Sequence, residues 1–235
     1  MPYLNWICDD DLIKHTKNLL LSAQNAKQKK QKEFHKNVID PFQAIFEMAG
    51  YPIDNIDWKK AELARQVGKT VQNKIGEFHQ NILGSVNNWD NLGTGQIVDL
   101  KSSQSQIIAE VKNKHNTVTG SKKVDVYDQL ADLVMPNTSI YNGYTAYFVN
   151  IIPKGKTRYN RPFTPSDNTN GTKRRSNNLI KEIDGASFYD IVTGDQSSLR
   201  DLYFVLPDVI HYILGKSQLS NTDKIALHEY FNKAF

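Results

Sequence analysis

The sequence predicts an α/β protein in which helices flank a mixed central sheet and a helical segment precedes the core. Three observations favour this class. Apolar residues recur with helical spacing up to about residue 86, short β-branched runs surround one helix over residues 96–152, and helical spacing returns beyond residue 185. Helices packed on the faces of a sheet bury both kinds of apolar surface. The chain has 235 residues, 39% of them hydrophobic and 23% charged, which is enough for one large core.

The first part of the chain is predicted to form three helices. The first covers residues 9–26 and has acids in its first turn, where they complement the helix dipole. The second covers residues 33–50, and Pro41 is expected to kink or split it. The third begins at Asp57, a residue type that favours the N-cap, and ends near residue 86. In the second helix we expect five apolar side chains to point inward: Phe34, Val38, Phe42, Ile45 and Phe46.

The middle of the chain is predicted to form the sheet. Residues 96–101 and 106–113 are β-branched and bounded by Ser, Thr and Gly, which indicates a hairpin of two strands. Residues 143–152 form an aromatic and β-branched run that favours a central strand. The other predicted elements are a strand at 179–183 and helices at 124–134, 186–192 and 199–214. We therefore divide the chain into a helical N-terminal segment, residues 1–56, packed on a core domain, residues 57–235.

Composition argues against several classes of protein. No run approaches the ~18 apolar residues that a membrane span needs. The first residues lack the basic stretch and apolar core of a signal peptide, so we expect none. Because Cys8 is the single cysteine, the chain has no intramolecular disulfide and no Cys-rich zinc site. These features favour a cytoplasmic protein.

Two acids and a lysine carry the strongest chemical signal. In a strand, side chains alternate between faces, so Glu110 and Lys112 share one face. If the preceding strand pairs with theirs in antiparallel fashion, Asp99 approaches Glu110. Two adjacent carboxylates repel each other unless a hard cation lies between them, and Mg²⁺ prefers oxygen ligands. The pattern therefore favours phosphodiester hydrolysis, with Asp99 and Glu110 as metal ligands and Lys112 beside the attacking water.

The acid-x-lysine triplet alone has other interpretations. Asp99 and Lys101 form a second triplet with Asp90 as the upstream acid, but Asp90 lies in a turn and Glu110 would have no role. The triplet at residues 57–59 opens a helix, where residues two apart point in different directions. Glu110 and Lys112 could also form an ordinary ion pair on an exposed strand.

A basic loop, residues 153–178, is the candidate DNA-contacting region. Its residues 153–175 carry seven Lys and Arg against one acid, a net charge of +6, which leaves −2 for the rest of the chain. Such a local excess is typical of a surface that binds a polyanion, although a solvated loop has the same composition. Arginine and lysine donate to guanine O6 and N7 in the major groove. The predicted DNA contacts in this loop are Arg158, Arg161, Lys173, Arg174 and Arg175, interleaved with Asn160, Asn168 and Asn170.

Longer stretches resemble a known family of enzymes. Residues 108–117 (IAEVKNKHNT) resemble the active-site strand of type II restriction endonucleases that cut GGNCC or GGWCC palindromes. Residues 77–85 (EFHQNILGS), with Trp89 and Asp99, are similar to that family's approach to the catalytic hairpin, and residues 183–189 with Thr193 and Gly194 are similar to its C-terminal region. The resemblance covers roughly residues 70–205. One departure is that Val98, not proline, precedes Asp99.

The resemblance implies a PD-(D/E)XK restriction-endonuclease-like core and an Mg²⁺-dependent homodimer. Such an enzyme would cut both strands of a palindrome, leave 5′-phosphate ends and pair with a cognate DNA methyltransferase. Asp99 and Glu110 would ligate the metal, and Lys112 would orient or activate water. Glu77, on the helix before the hairpin, is a further candidate metal ligand, and Gln80 one turn later could share its face. Lys114, His115 and Asn116, which continue the active-site strand, are candidate DNA contacts.

Two other functions are compatible with the same residues. The first is a structure-specific or repair nuclease that uses the same core without sequence specificity. The second is a DNA-binding protein with a catalytically inert nuclease-like fold. The distinguishing property is the product formed on DNA, because discrete fragments are expected only from a sequence-specific nuclease.

Overall fold

The computed structural model describes residues 2–167, 171–216 and 219–235. The chain forms two compact units, one made of Met1–Thr16 and Phe78–Phe235 and the other of Lys17–Glu77. Asn168 and Asn170 of the predicted basic loop lie outside the described residues. The division of the chain at residues 56 and 57 stays a prediction.

Helices and strands follow one another largely in the predicted order. The helices are α1 (Asp9–Lys32), α2 (Pro41–Gly50), α3 (Asn55–Gly84), α4 (Gly120–Val134), α5 (Gly185–Thr193), α6 (Ser198–Leu214) and α7 (Asn221–Ala234), with a short 3-10 helix at Phe34–Lys36. The strands are β1 (Asp90–Asn91), β2 (Leu100–Ser102), β3 (Ile107–Lys114), β4 (Thr145–Ile152), β5 (Asn160–Pro162), β6 (Ser166–Asp167), β7 (Thr172–Lys173) and β8 (Ile180–Asp184). Sequence analysis missed α7 and the short strands β1, β5, β6 and β7. None of the helices in the described ranges is long and apolar enough to cross a membrane.

The second predicted helix is interrupted before Pro41, and α2 begins at that residue. Pro41 occupies the first turn of α2, and the Asp40 carboxylate accepts hydrogen bonds from the main-chain nitrogens of Phe42 (2.9 Å) and Gln43 (3.2 Å). Proline is favoured there because the first-turn N–H has no helical partner in any case. The predicted split at Pro41 is thus confirmed. At α3 the predicted cap is wrong, because Asp54 accepts from the main-chain nitrogen of Asp57 at 2.9 Å and Asp57 lies inside the helix.

Of the five apolar side chains expected to point inward from the second predicted helix, four are exposed and Phe34 is half-buried. Phe42 is 72% exposed, Phe46 is 75% exposed and Val38 is 99% exposed. Ile45 is exposed as well. Helical spacing shows that apolar residues share one face, but it does not show that another part of the same chain covers that face. We call Phe42, Ile45 and Phe46 the apolar face of α2, and the exposed Val38 lies just before the helix.

A six-stranded mixed sheet forms the centre of the larger unit. Its strand order is β1-β2-β3-β4-β8-β5. Strands β1, β2 and β3 pair antiparallel, β3, β4 and β8 pair parallel, and β5 returns antiparallel to β8. Strand β4 lies between β3 and β8, which confirms its predicted central position. The mixed sheet with flanking helices is the fold class that the sequence predicts.

Helices cover the two faces of this sheet. On one face, Ile108, Phe148 and Ile180 form a buried cluster with Tyr127 and Leu130 of α4. On the other, the Tyr147 ring lies 5.8 Å from the Phe188 ring of α5, and the Trp89 ring lies 5.7 Å from the same side chain. Towards their carboxyl ends, β3, β4 and β8 carry the polar residues Lys112, Asn150 and Asp184. The strand pairing places these three residues side by side.

Candidate active site

The antiparallel pairing of β2 and β3 brings Asp99 next to Glu110. Leu100 is paired with Ala109, so the same register places Asp99, which directly precedes β2, opposite Glu110. The main-chain nitrogen of Asp99 donates to the Ala109 oxygen at 2.9 Å. The Asp99 carboxylate accepts from the main-chain nitrogen of Val111 at 2.7 Å, which fixes its orientation. The predicted approach of the two acids is therefore present in the structure.

Glu110 and Lys112 lie on the same face of β3 and form an ion pair through Glu110 Oε1. The Glu110 side chain is 14% exposed and that of Lys112 is 27% exposed. Glu110 also shares a hydrogen bond with Asp99. We call Asp99, Glu110 and Lys112 the candidate trio. Its members are in contact and retain partial access to solvent.

Burial and mutual repulsion change the acidity of the two carboxyl groups. Burial, and after it the neighbouring charge of Asp99, raise the pKa of Glu110 to about 7 against the opposing effect of Lys112. Burial also raises the pKa of Asp99, opposed by the hydrogen bond from Val111 and the charge of Lys112. A pair of carboxyl groups with raised pKa values is poised to exchange protons for a cation.

The donor set of this site fits a hard divalent ion. Mg²⁺ takes oxygen ligands and is usually held by one or two carboxylates, with water and substrate phosphate completing its shell. Asp99 and Glu110 supply two adjacent carboxylates whose repulsion such an ion would relieve. Within the described ranges, no cluster of three or more His, Cys, Asp and Glu side chains occurs. Asp99 and Glu110 are therefore the candidate carboxylate ligands for such an ion.

The two candidate residues at the end of α3 differ in their contacts. Glu77 is an exposed acid that forms an ion pair with Lys74, at 2.6 Å, one turn earlier. Gln80 donates a side-chain hydrogen bond to Asp99, which lowers the pKa of that acid. The sequence shows that Glu77 and Gln80 lie one turn apart on the same helix. In the structure, the side chain that contacts Asp99 is that of Gln80.

A second polar row crosses the sheet next to the trio. Glu110 is paired with Phe148 and then Glu182, whereas Lys112 is paired with Asn150 and then Asp184. Asp184 is buried and accepts from the main-chain nitrogens of Tyr159 (2.6 Å) and Ser187 (2.9 Å). Asn150 was missed in the sequence. The feature that could have identified it is that Asn150 is the one amide in the otherwise apolar second half of β4.

Three arginines of the basic loop are paired with acids of the chain. Arg174 forms a two-pronged ion pair with Asp128 of α4, at 2.7 and 2.8 Å. Arg161 pairs with Glu182 at 2.7 Å, and Arg158 pairs with Asp190. These contacts fix the positions of the arginines on the protein. A DNA phosphate or base would have to compete with an acid at each of them.

Other cations of the loop face solvent. Lys173 and Arg175 are exposed, and neither forms an ion pair with a residue that the structure describes. The same holds for Lys154 and Lys156. The Tyr127 hydroxyl donates to the main-chain oxygen of Arg175 at 2.7 Å, which attaches this part of the loop to α4. Helix α4 packs on the sheet face that carries Glu110 and Lys112, so this part of the loop is attached to a helix on the same side of the sheet as the trio.

The residues that follow Lys112 continue β3 into a turn. Lys114 ends the strand, and its main-chain oxygen accepts from Thr117 at 3.0 Å. His115 donates from its main chain to Ile152 at 3.0 Å, while its ring Nδ1 is buried without a hydrogen-bond partner among the described residues. Asn116 is exposed in the turn. No described contact joins these three side chains to the trio, so their DNA-binding role stays a prediction.

The rival triplet has a different environment. Asp90 lies in β1 and not in the predicted turn. It is paired with Lys101 of β2, and the two side chains form an ion pair at 3.7 Å. The Asp90 side chain is exposed. This is an ordinary cross-strand ion pair of low strength. The half-buried pair Asp99 and Glu110 is the arrangement whose carboxyl groups have raised pKa values.

Comparisons with known proteins point to one family. The family model for the Eco47II restriction endonuclease matches residues 4–215. The chain is 48% identical to the type II restriction enzyme Eco47II of Escherichia coli over 239 positions, covering 100% of both chains. It is 31% identical to the type II restriction enzyme Sau96I of Staphylococcus aureus over 210 positions, covering 87% of this chain and 78% of the other. The similarity thus includes the hairpin, the central strand and the basic loop.

Proposed function

Because this chain belongs to the Eco47II restriction endonuclease family and is a type II restriction endonuclease, we propose that it cleaves double-stranded DNA with Asp99, Glu110 and Lys112 around Mg²⁺. The observation that carries this proposal is the contact between two half-buried carboxyl groups with raised pKa values and one lysine. Perturbed acidity in a group of this kind is typical of catalytic sites.

The three residues of the trio would have different roles. Asp99 and Glu110 would hold the ion, and Val111 and Gln80 keep Asp99 in place through hydrogen bonds. When bound, Mg²⁺ supplies Lewis-acid stabilisation of the charge that develops on the phosphate. Lys112 carries three N–H donors and a positive charge, so it can orient the attacking water and contact the scissile phosphate.

The recognition site that we propose is a palindrome of the GGNCC type. This proposal rests on the resemblance of residues 77–85, 108–117 and 183–194 to enzymes that cut such sites. Cleavage would leave 5′-phosphate ends. Lys173 and Arg175, the exposed cations near α4, are the best-placed groups of the loop to contact DNA.

We propose that the enzyme acts as a homodimer. A twofold-symmetric site with one cut in each strand requires two copies of the trio, related by the same symmetry. The apolar face of α2 is a candidate for part of the interface between copies. Exposed apolar clusters of this kind are typical of surfaces that another protein covers. Helix α2 contains a single charged residue, Glu47, so it suits an apolar surface better than DNA.

The proposed enzyme would act in the cytoplasm beside a methyltransferase of the same specificity. Such a partner would protect the host's own copies of the palindrome. Plasmid DNA isolated from the source cells should therefore resist the enzyme, whereas the same plasmid copied by PCR should be cut.

A digest with sequenced ends tests the proposed function. Unmodified plasmid is incubated with the purified protein and Mg²⁺, or with chelator as the control, and the fragment ends are sequenced. We expect discrete fragments whose ends map to one GGNCC-type palindrome and carry 5′-phosphates. Cleavage spread over all sequences or directed to branched DNA would indicate a repair nuclease. Binding without any cleavage would indicate an inert DNA-binding protein.

A further inference from the structure

We propose that Asn150 is a positioning residue, which accepts a hydrogen bond from the Lys112 ammonium group when Lys112 leaves Glu110. The proposal rests on the catalytic role proposed for the trio. It assigns a function to a residue of β4 that lies outside the acid-x-lysine motif.

The sheet register places Asn150 next to Lys112. The two residues are direct partners in the parallel pairing of β3 and β4. Paired residues of neighbouring strands point to the same face, and their strands lie about 4.8 Å apart. The side chain of Lys112 is long enough to span that distance. Asn150 is therefore the neighbour that Lys112 has on the side of the sheet away from Asp99.

The amide nitrogen of Asn150 has a hydrogen-bond partner, whereas its amide oxygen has none among the described residues. Its Nδ2 donates to the Tyr159 hydroxyl at 3.2 Å. Tyr159 precedes β5 and lies beyond β8, so this bond directs the nitrogen away from β3. Asn150 is 2% exposed, and its Oδ1 is buried without a hydrogen-bond partner among the residues that the structure describes. A buried carbonyl oxygen without a donor is rare and destabilising, so such an atom calls for an explanation.

The other acceptors near Lys112 already have partners, so Asn150 is the one that is available to it. Asp184, the next residue in the same row, already accepts from Tyr159 and from both the main chain and the hydroxyl of Ser187. Glu110 accepts from Lys112 in the present arrangement. Lys112 contacts Oε1 of that carboxylate, so a cation bound at the same oxygen would displace it. Its ammonium group then needs another acceptor at the same level of the sheet, and Asn150 Oδ1 meets that need.

A purely structural role for Asn150 makes different predictions. In that case the amide would serve only to hold Tyr159, whose ring also packs against the Arg161 guanidinium at 4.9 Å. Removing the Tyr159 hydroxyl would then have the same effect as removing the amide. If Asn150 positions Lys112, the oxygen at residue 150 matters more than its bond to Tyr159.

Three variants separate these two roles. Asn150→Leu keeps the approximate volume and removes the acceptor, Asn150→Asp keeps an acceptor oxygen, and Tyr159→Phe removes only the hydroxyl. Ser198→Ala is the control, because Ser198 of α6 is likewise buried with an unpartnered Oγ among the described residues. Each protein is assayed for kcat and KM on a plasmid substrate with Mg²⁺, for DNA affinity without metal, and for its melting temperature.

We expect the Leu variant to lose about 10–100-fold in kcat, the usual effect of removing a partner of a metal-site residue. Its KM for DNA and its metal-free DNA affinity should stay within about twofold of wild type, because the lost contact is made only during catalysis. The Asp variant should recover most of kcat. Ser198→Ala should cleave like wild type, and Tyr159→Phe should lose less than Asn150→Leu.

Several outcomes would overturn the proposal. Cleavage by Asn150→Leu at the wild-type rate would do so, as would equal losses in the Leu and Asp variants. Equal losses in Asn150→Leu and Tyr159→Phe, accompanied by equal drops in melting temperature, would show a structural brace. If wild type cuts and the Leu variant cuts equally well, the proposed function stands and this inference fails. If wild type never cuts DNA, both fail.

Discussion

Asp99 lies directly opposite Glu110 across the β2–β3 hairpin, and the two side chains share a hydrogen bond. This contact gives the site an unusual acid–base character, because burial raises the pKa of both groups and brings that of Glu110 to about 7. The pair therefore holds a proton at a pH where isolated carboxyl groups are ionised. Protons and divalent ions should compete for it.

Mg²⁺ affinity should accordingly depend on pH. Below the pKa of Glu110, each bound ion must displace a proton, so the apparent affinity should rise about tenfold for each pH unit. Above that pKa it should level off. Calorimetric titration of the DNA-free protein with Mg²⁺ at pH 6, 7 and 8 measures this dependence. An affinity that does not change between pH 6 and 7 would contradict the raised pKa.

Glu110→Gln should stabilise the metal-free protein at high pH. The folded-state pKa of Glu110 lies above its unfolded value of 4.5, so its contribution to stability is present at acid pH and is lost as pH rises towards 7. Glutamine resembles the protonated acid and does not ionise. We expect its free energy of unfolding to exceed that of wild type by about 1–3 kcal/mol at pH 8 and by little at pH 5. Urea unfolding at both pH values tests this, and an equal difference at the two would count against it.

Arg175→Ala should weaken DNA binding in a salt-dependent manner. Arg175 is exposed and forms no ion pair with the residues that the structure describes, so its charge is available to a phosphate. Loss of one phosphate contact should reduce the slope of log affinity against log salt by about 1. Fluorescence anisotropy over a salt series, with Ca²⁺ in place of Mg²⁺, measures the slope. Arg200→Ala on α6 is the control, and an equal change in both variants would argue against a specific contact.

Gly185→Ala should destabilise the sheet. A Cβ atom at Gly185 would lie 2.6 Å from Ile151 Cα, so α5 could keep its position on β4 only by moving the main chain. Overpacking of this kind costs about 1–3 kcal/mol. Thermal unfolding should show a lower melting temperature than wild type. Gly155→Ala, where an added Cβ meets no atom within 4 Å, is the matched control.

Charges on α2 should disrupt the proposed dimer. The double substitution Phe42→Glu and Phe46→Glu places two acids on the apolar face, and two copies meeting there would have to bury them. We expect a monomer in analytical ultracentrifugation, with an unchanged melting temperature. Tyr212→Glu, at an exposed position of α6, is the control and should stay dimeric. A double variant that remains a dimer would exclude this face from the interface.

The trio could be predicted from the sequence because its geometry is local. Alternation along β3 places Glu110 and Lys112 on one face, and a short hairpin brings back Asp99. The position of Asn150 depends instead on which strand pairs with β3 and in which register, and neither is encoded in a short segment. Strands of two or three residues, such as β1 and β7, are too short to show a period. The apolar face of α2 has a clear helical period, but a period carries no information about what covers the face.

The ion pairs of the basic loop bear on how the enzyme searches a chromosome. Arg158, Arg161 and Arg174 are each neutralised by an acid of the same chain before DNA arrives. Every sequence offers phosphates to draw them away, but only the proposed palindrome would also offer guanine edges in a matching arrangement. Weak binding to non-specific DNA shortens the time that the protein spends at each non-cognate site. The three acids that pair with these arginines would therefore shorten the search for the recognition site.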